Sequence, residues 1–136
     1  MAANKSERAL VDEWRDVLAV HARTTCELDR ALHPHGLGAS DFEVLDVLAE
    51  GGSEGGSEGG PAAWRVQELA DRVHLSQSAL SRLVARLEKD GLVARGMCPE
   101  DRRGVQVRLT EKGLDRHTEV KPLQREILTR MLDRSS

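Results

Sequence analysis

Aromatic side chains are almost missing from this chain: Trp14, Trp64 and Phe42 are the whole set, and there is no tyrosine. A core must then be built from Leu, Val and Ala, which favours helices packed on helices over a β-sandwich. Cysteine is scarce too. Cys26 and Cys98 lie far apart without a CxxC spacing, so in a reducing compartment both are expected as free thiols. No apolar run approaches the ~20 residues that span a bilayer. The opening MAANKSERAL lacks the apolar stretch of a secretory signal. A cytoplasmic chain with no membrane partner is expected. Also absent are a nucleophile–base pair, a carboxylate pair placed by a motif and a phosphate loop, so no enzyme, no catalytic residue and no cofactor are expected.

What is present is 136 residues, suited to a single domain over 1–136 that can bury a real core. The net charge of −3 is unevenly spread. Arg65 to Gly113 carries ten basic and seven acidic residues, a local +3, and the remainder carries ten and sixteen, a local −6. The local field governs docking on phosphates, so this segment reads as a basic lobe with acidic flanks.

From about Ser6 to Leu32, apolar residues recur at steps of three and four (Leu10, Trp14, Val17, Leu18, Leu28, Leu32), which predicts one long amphipathic helix over 6–32. His33-Pro34-His35-Gly36 ends it. Ser40 with Glu43 forms a candidate capping box for a second helix running to Glu50. GGSEGGSEGG over 51–60 is expected as a flexible surface loop, and its composition does not distinguish it from an engineered linker. It is no nucleotide loop, since it lacks GxxxxGK[ST] and its glutamates repel phosphate.

Trp64-Arg65 can form a short strand against the hairpin that follows. Val66, Leu69, Ala70 and Val73 mark a third helix. His74-Leu75 is a turn, and Ser76 caps a fourth helix with Leu80, Leu83, Val84 and Leu87 facing inward and Gly91 at its end. Leu92–Arg95 and Val105–Leu109 alternate as strands around a loop from about Cys98 to Gly104. Thr110 caps a last helix over 111–134, with Pro122 expected to kink it.

The fold class that follows is mainly α with a small β-hairpin: a winged helix-turn-helix over 64–110 between long N- and C-terminal helices. Such a fourth helix lies in a DNA major groove while an arginine-tipped hairpin reaches the neighbouring minor groove. Gln77, Ser78 and Ser81 sit in the first turns, where base edges are met. Gln pairs with adenine, and Ser serves as donor or acceptor. Arg82 and Arg86, one turn apart, suit phosphates, and the Ser76 hydroxyl can touch the backbone. Asp101, Arg102, Arg103 and Gly104 are read as the hairpin turn, with Asp101 orienting a guanidinium and an arginine entering a narrow minor groove. For each residue the plain alternative is a solvated charged face.

The run LADRVHLSQSALSRLVARLEKDGLVARGMCPEDRRGVQVRLTEKG resembles the DNA-binding core of the MarR family of bacterial transcription regulators. The resemblance rests on RLEKDGLV at the end of the fourth helix, Asp101-x-Arg103 in the wing and LTEKG at Leu109–Gly113. It extends more loosely over most of the chain. It implies a homodimer paired through its terminal helices, a pseudo-palindromic operator in double-stranded DNA, and repression relieved by a small, often phenolic, effector or by thiol oxidation. By matching position Arg103 would enter the minor groove and Asp101 would hold the wing arginine. The long Gly/Ser/Glu loop departs from the family. So does the end at Ser136, about where many members continue into a further dimerisation helix: either the interface is smaller, the first helix compensates, or the chain was trimmed.

The ligand-binding residues are not readable. A pocket between the terminal helices and the DNA lobe, with Trp14 and Phe42 in its wall, is what the resemblance implies. Cys26 is expected as a buried or half-buried inert thiol, its rival role being that of an oxidation sensor. His21 is expected as a satisfied interface histidine. His33, His35 and Cys26 lack the spacing of a metal site. A rival from another class is a winged-helix protein-interaction module, which has no need to gather Arg82, Arg86, Arg102 and Arg103 near one face.

Overall fold

The computed structural model describes residues 4–51, 63–98 and 101–133, and the side chains of 97–104 lie outside the described set. The first helix, α1, is Glu7–Leu32, opened by Ser6, whose hydroxyl accepts the Ala9 N–H at 3.1 Å. A 3-10 turn at His33–His35 follows and ends at Gly36. Helix α2 is Ala39–Ala49. The remaining elements are β1 Ala63–Arg65, α3 Val66–Val73, α4 Gln77–Lys89, β2 Val93–Cys98, β3 Asp101–Leu109 and α5 Glu111–Leu132. Of the expected 51–60 loop only Gly51 is among the described residues.

Helix α2 is the centre of the packing. Phe42, Val44, Leu45, Val47 and Leu48 are all buried, and the side chains of Leu69, Leu80, Val84, Leu87, Leu92, Val93 and Val107 close around the other end of the same core. The sheet is antiparallel in the order β1-β3-β2. Trp64 stands opposite Val107, so the short strand before the helix-turn-helix pairs with the wing as its sequence suggests.

Two local expectations are corrected. Helix α2 starts earlier than a Ser40 cap requires: its N-cap is Gly38, whose N–H donates to Asp41 Oδ2 at 2.8 Å, while Asp29 Oδ1 takes the Ala39 N–H at 2.7 Å. Carboxylates satisfy the free N–H groups here, so Ser40 and Glu43 form no capping box. The wing strands run further than 92–95 and 105–109. Pairing continues from Val93↔Leu109 through Met97↔Val105 and resumes at Cys98↔Asp101, with a register shift between Met97 and Cys98. Residues 102–104 therefore bulge from β3 rather than forming a turn, the arrangement that re-aims a strand at a rim. Helix α5 carries Pro122 inside one element, Glu111–Leu132.

Helix α1 divides in two. Its C-terminal half buries Thr24, Leu28 and Leu32, and its N-terminal half exposes Leu10, Trp14, Val17 and Leu18 on one side. His21 is likewise exposed.

Candidate nucleic-acid interface

Helix α4 is held at both ends by local chemistry. At the α3–α4 turn His74 adopts φ 60° and ψ 41°, a left-handed conformation few side chains take. It lets Leu75 N–H reach Ala70 O at 3.1 Å. Ser76 Oγ then accepts the Ala79 N–H at 3.1 Å and lies 3.3 Å from Ser78 Oγ. At the far end Gly91 takes φ +80°, a conformation that costs glycine little, and Leu92 N–H reaches Leu87 O at 2.9 Å.

Between these caps, Leu80, Leu83, Val84 and Leu87 are buried. Ser76, Gln77, Ser78, Ser81 and Arg82 are exposed together on the opposite side. Gln77, Ser81 and Arg82 have no hydrogen-bond or ion-pair partner among the described residues. Arg86 differs. Its guanidinium forks onto Asp41, NH1 to Oδ2 at 2.9 Å and NH2 to Oδ1 at 2.5 Å. The Asp41 side chain is only 3% exposed. That hydrogen bond is the main reason Arg86 is held more firmly protonated than usual. The expected set of Asp101, Arg102 and Arg103 belongs to the same hairpin by backbone, and their side chains lie outside the described residues.

The wing is clamped to α4 and α5. Arg95 on β2 donates from Nε to Glu88 Oε1 at 3.0 Å, and this hydrogen bond first of all keeps the Glu88 carboxyl below its usual range. The stretch Leu109–Gly113 works as a staple. Thr110 Oγ1 donates to Gly91 O at 2.6 Å and accepts the Gly113 N–H at 3.0 Å. Lys112 Nζ donates to Asp90 O at 2.9 Å. A Cβ on Gly113 would lie 1.9 Å from Leu92 O, so only glycine allows α5 to start this close to the wing.

Sequence reasoning missed the second buried carboxylate of α2. Asp46 Oδ1 lies 2.7 Å from His117 Nε2, and Arg125 NH2 donates to both Asp46 oxygens at 3.0 Å. Phe42 stacks on the His117 ring with centroids 5.3 Å apart. Asp41, Glu43 and Asp46 inside a mainly apolar helix were the available signal, since buried charges must be paired.

The expected pocket wall is also corrected. Phe42 is fully buried in the core and Trp14 is 59% exposed. A cavity of about 900 Å³ does lie between α1, α2 and the α3–α4 turn, with neither aromatic in its lining. Cys26 is exposed rather than buried. Among the described residues no group of three or more His, Cys, Asp or Glu is placed to hold a metal.

A capped helix pair with its polar turn outward, backed by a three-stranded wing, defines a winged helix-turn-helix protein. Residues 35–104 match the model of the MarR family. The chain is 33% identical to AbsC, a MarR family regulator from Streptomyces coelicolor, with TM-score 0.77 over 96% of this chain and 82% of that one. It is 30% identical to Sco3205 from the same organism, solved in complex with DNA, with TM-score 0.78 over 98% of this chain and 79% of that one. This chain belongs to the MarR family. Among curated proteins it is 31% identical to the transcriptional repressor IacR of Pseudomonas putida, over 82% of this chain and 60% of IacR. It thus spans about three fifths of that relative's length.

Proposed function

We propose that two copies of this chain form a transcriptional regulator that reads a pseudo-palindrome in duplex DNA, acting as a repressor that a small molecule releases. One observation carries the reading: the first turns of α4 present Ser76, Gln77, Ser78, Ser81 and Arg82 outward, three of them without a partner among the described residues. Polar side chains left unpaired at a capped helix tip are what base edges and phosphates engage. Arg102 and Arg103, on the bulge of β3, supply the minor-groove contact, with Asp101 as their orienting carboxylate. Sco3205, a relative 30% identical, is in complex with DNA in its crystal structure.

The second copy follows from α1. Leu10, Trp14, Val17 and Leu18 are 45–59% exposed on one helix, an apolar stripe that a twofold mate covers. Pairing sets the two α4 tips about one turn of DNA apart, ~34 Å.

Selection of sites from random duplex DNA at two salt concentrations tests the proposal. A two-half-site consensus is expected, with Gln77→Ala altering base preference and Arg103→Ala weakening binding to every selected site. Duplexes bound with no preference and with no effect of Gln77→Ala or Arg103→Ala leave the winged helix as a protein-interaction module.

A further inference from the structure

Ser40 is left without a task in the fold. It sits in the first turn of α2, caps no helix, and its hydroxyl is exposed with no partner among the described residues. Helix α4 passes opposite. A groove of about 290 Å³ lies between the two helices, lined by Ser40, Leu75, Ala79, Arg82, Leu83 and Arg86. No carboxylate among the described residues lines it. Arg86 is balanced by its fork onto the buried Asp41. The uncompensated charge of the groove is therefore that of Arg82, which has no partner among the described residues.

The position of this groove on α4 decides what it can hold. The exposed face of the helix has two rims. On one, Glu88 accepts from Arg95 of the wing. On the other, Arg86 holds the start of α2. At about 100° per residue, Glu88 and Arg86 lie about 160° apart around the helix axis, with Arg82 between them on the exposed side. A helix lying in a major groove about 12 Å wide has a sugar–phosphate backbone along each flank. The wing attends to one of these backbones. The Ser40 rim faces the other.

We propose that Ser40 and Arg82 form a seat for one DNA phosphate on the side of α4 away from the wing. Ser40 Oγ donates to a phosphate oxygen, and the Arg82 guanidinium neutralises the charge. Arg86 is a positioning residue here: its fork onto Asp41 sets the distance of α2 from α4, and with it the width of the seat. Such a contact reads no base and fixes the register of the helix in its groove. The seat deepens the DNA-binding reading above and rests on it.

The test uses duplexes recovered by site selection, each with one backbone phosphate replaced by a neutral methylphosphonate. They are titrated against the full chain by fluorescence anisotropy over a potassium chloride series. At one position in each half-site, on the backbone away from the wing, the replacement is expected to weaken the parent about fivefold and Ser40→Ala less than about twofold. On the unmodified duplex Ser40→Ala should lower affinity about fivefold without changing the slope of log affinity against log salt, because no charge is lost. Arg82→Ala should reduce that slope by about 0.9. Ser40→Ala should melt with the parent, since its hydroxyl bonds nothing in the fold. The seat is overturned if Ser40→Ala binds the unmodified duplex like the parent, if it keeps the parent's sensitivity at every methylphosphonate position, or if Arg82→Ala leaves the slope unmoved. In each of these cases the parent still binds, and the regulator reading stands. A parent chain that binds no duplex overturns both.

Discussion

The two ends of α2 solve one problem in two ways. Each carries a buried aspartate in an apolar helix, and each aspartate is satisfied by a cation from a distant part of the chain. At the N-terminal end Asp41 has a single cation, Arg86 of α4, in a two-pronged fork, and also caps its own helix at Gly38. At the C-terminal end Asp46 has two partners from α5, His117 and Arg125. The first end fixes α4 of the helix-turn-helix, and the second fixes the long C-terminal helix. Helix α2 is thus a strut between α4 and α5. Its N-terminal end is the simpler and more open one, with the Arg86 side chain 53% exposed and that of His117 7% exposed.

Asp46→Ala is the severest way to break this comparison. It strands buried His117 and half-exposed Arg125, and removal of one partner from such a cluster costs up to about 3–5 kcal/mol, the value for a fully buried pair. A urea melt should show that loss, and a change under about 1 kcal/mol would mean the C-terminal end is held by packing of Phe42 and its neighbours alone.

The N-terminal end is sharper to test because Arg86 has two candidate roles, phosphate contact and strut. Asp41→Asn weakens the fork and should cost about 1–3 kcal/mol, less than the change at Asp46. If Arg86 acts through Asp41, then Asp41→Asn and Arg86→Ala lower duplex affinity to a similar degree, the double variant is little worse than either, and the salt slope is unmoved. If Arg86 instead neutralises a phosphate, Arg86→Ala alone reduces the slope of log affinity against log salt by about 0.9. The fork geometry favours the first outcome. Arg82, exposed one turn earlier and without a partner among the described residues, is where the slope should change.

These pairs also show what the sequence can and cannot display. The helix-turn-helix is legible because its signals are local: Ser76 and Thr110 cap the helices that follow them, and Gly91 ends α4. Periodicity marks α1 and the buried stripe of α4 for the same reason. The start of α2 was misplaced because its cap depends partly on Asp29, ten residues before the N–H it accepts. Arg86 read as a free cation because its partner lies 45 residues away. The lining of the cavity joins α1, α2 and a turn, so no window along the chain contains it. The polar positions Gln77, Ser78 and Ser81 are exposed on α4 as their spacing suggested, whereas the wing side chains at 101–103 lie outside the described residues.

The smallest effect is expected midway along the strut. Glu43 lies between the two aspartates and is half-buried, and its carboxyl sits above the usual range of about 4.5 through burial first and Asp46 second. A raised acid favours its protonated form in the fold, so the native state holds more protons than the unfolded chain just above pH 4.5. Stability is therefore lost as pH rises through that window and regained as it falls back, the reverse of what a salt-bridged aspartate contributes. Glu43→Gln keeps the shape and removes the titration. Its melting temperature should exceed that of the parent slightly at neutral pH, with the advantage vanishing towards pH 4. If the advantage instead grows as pH falls, Glu43 is held ionised by Arg72 and Arg125, and the middle of α2 behaves like its two ends.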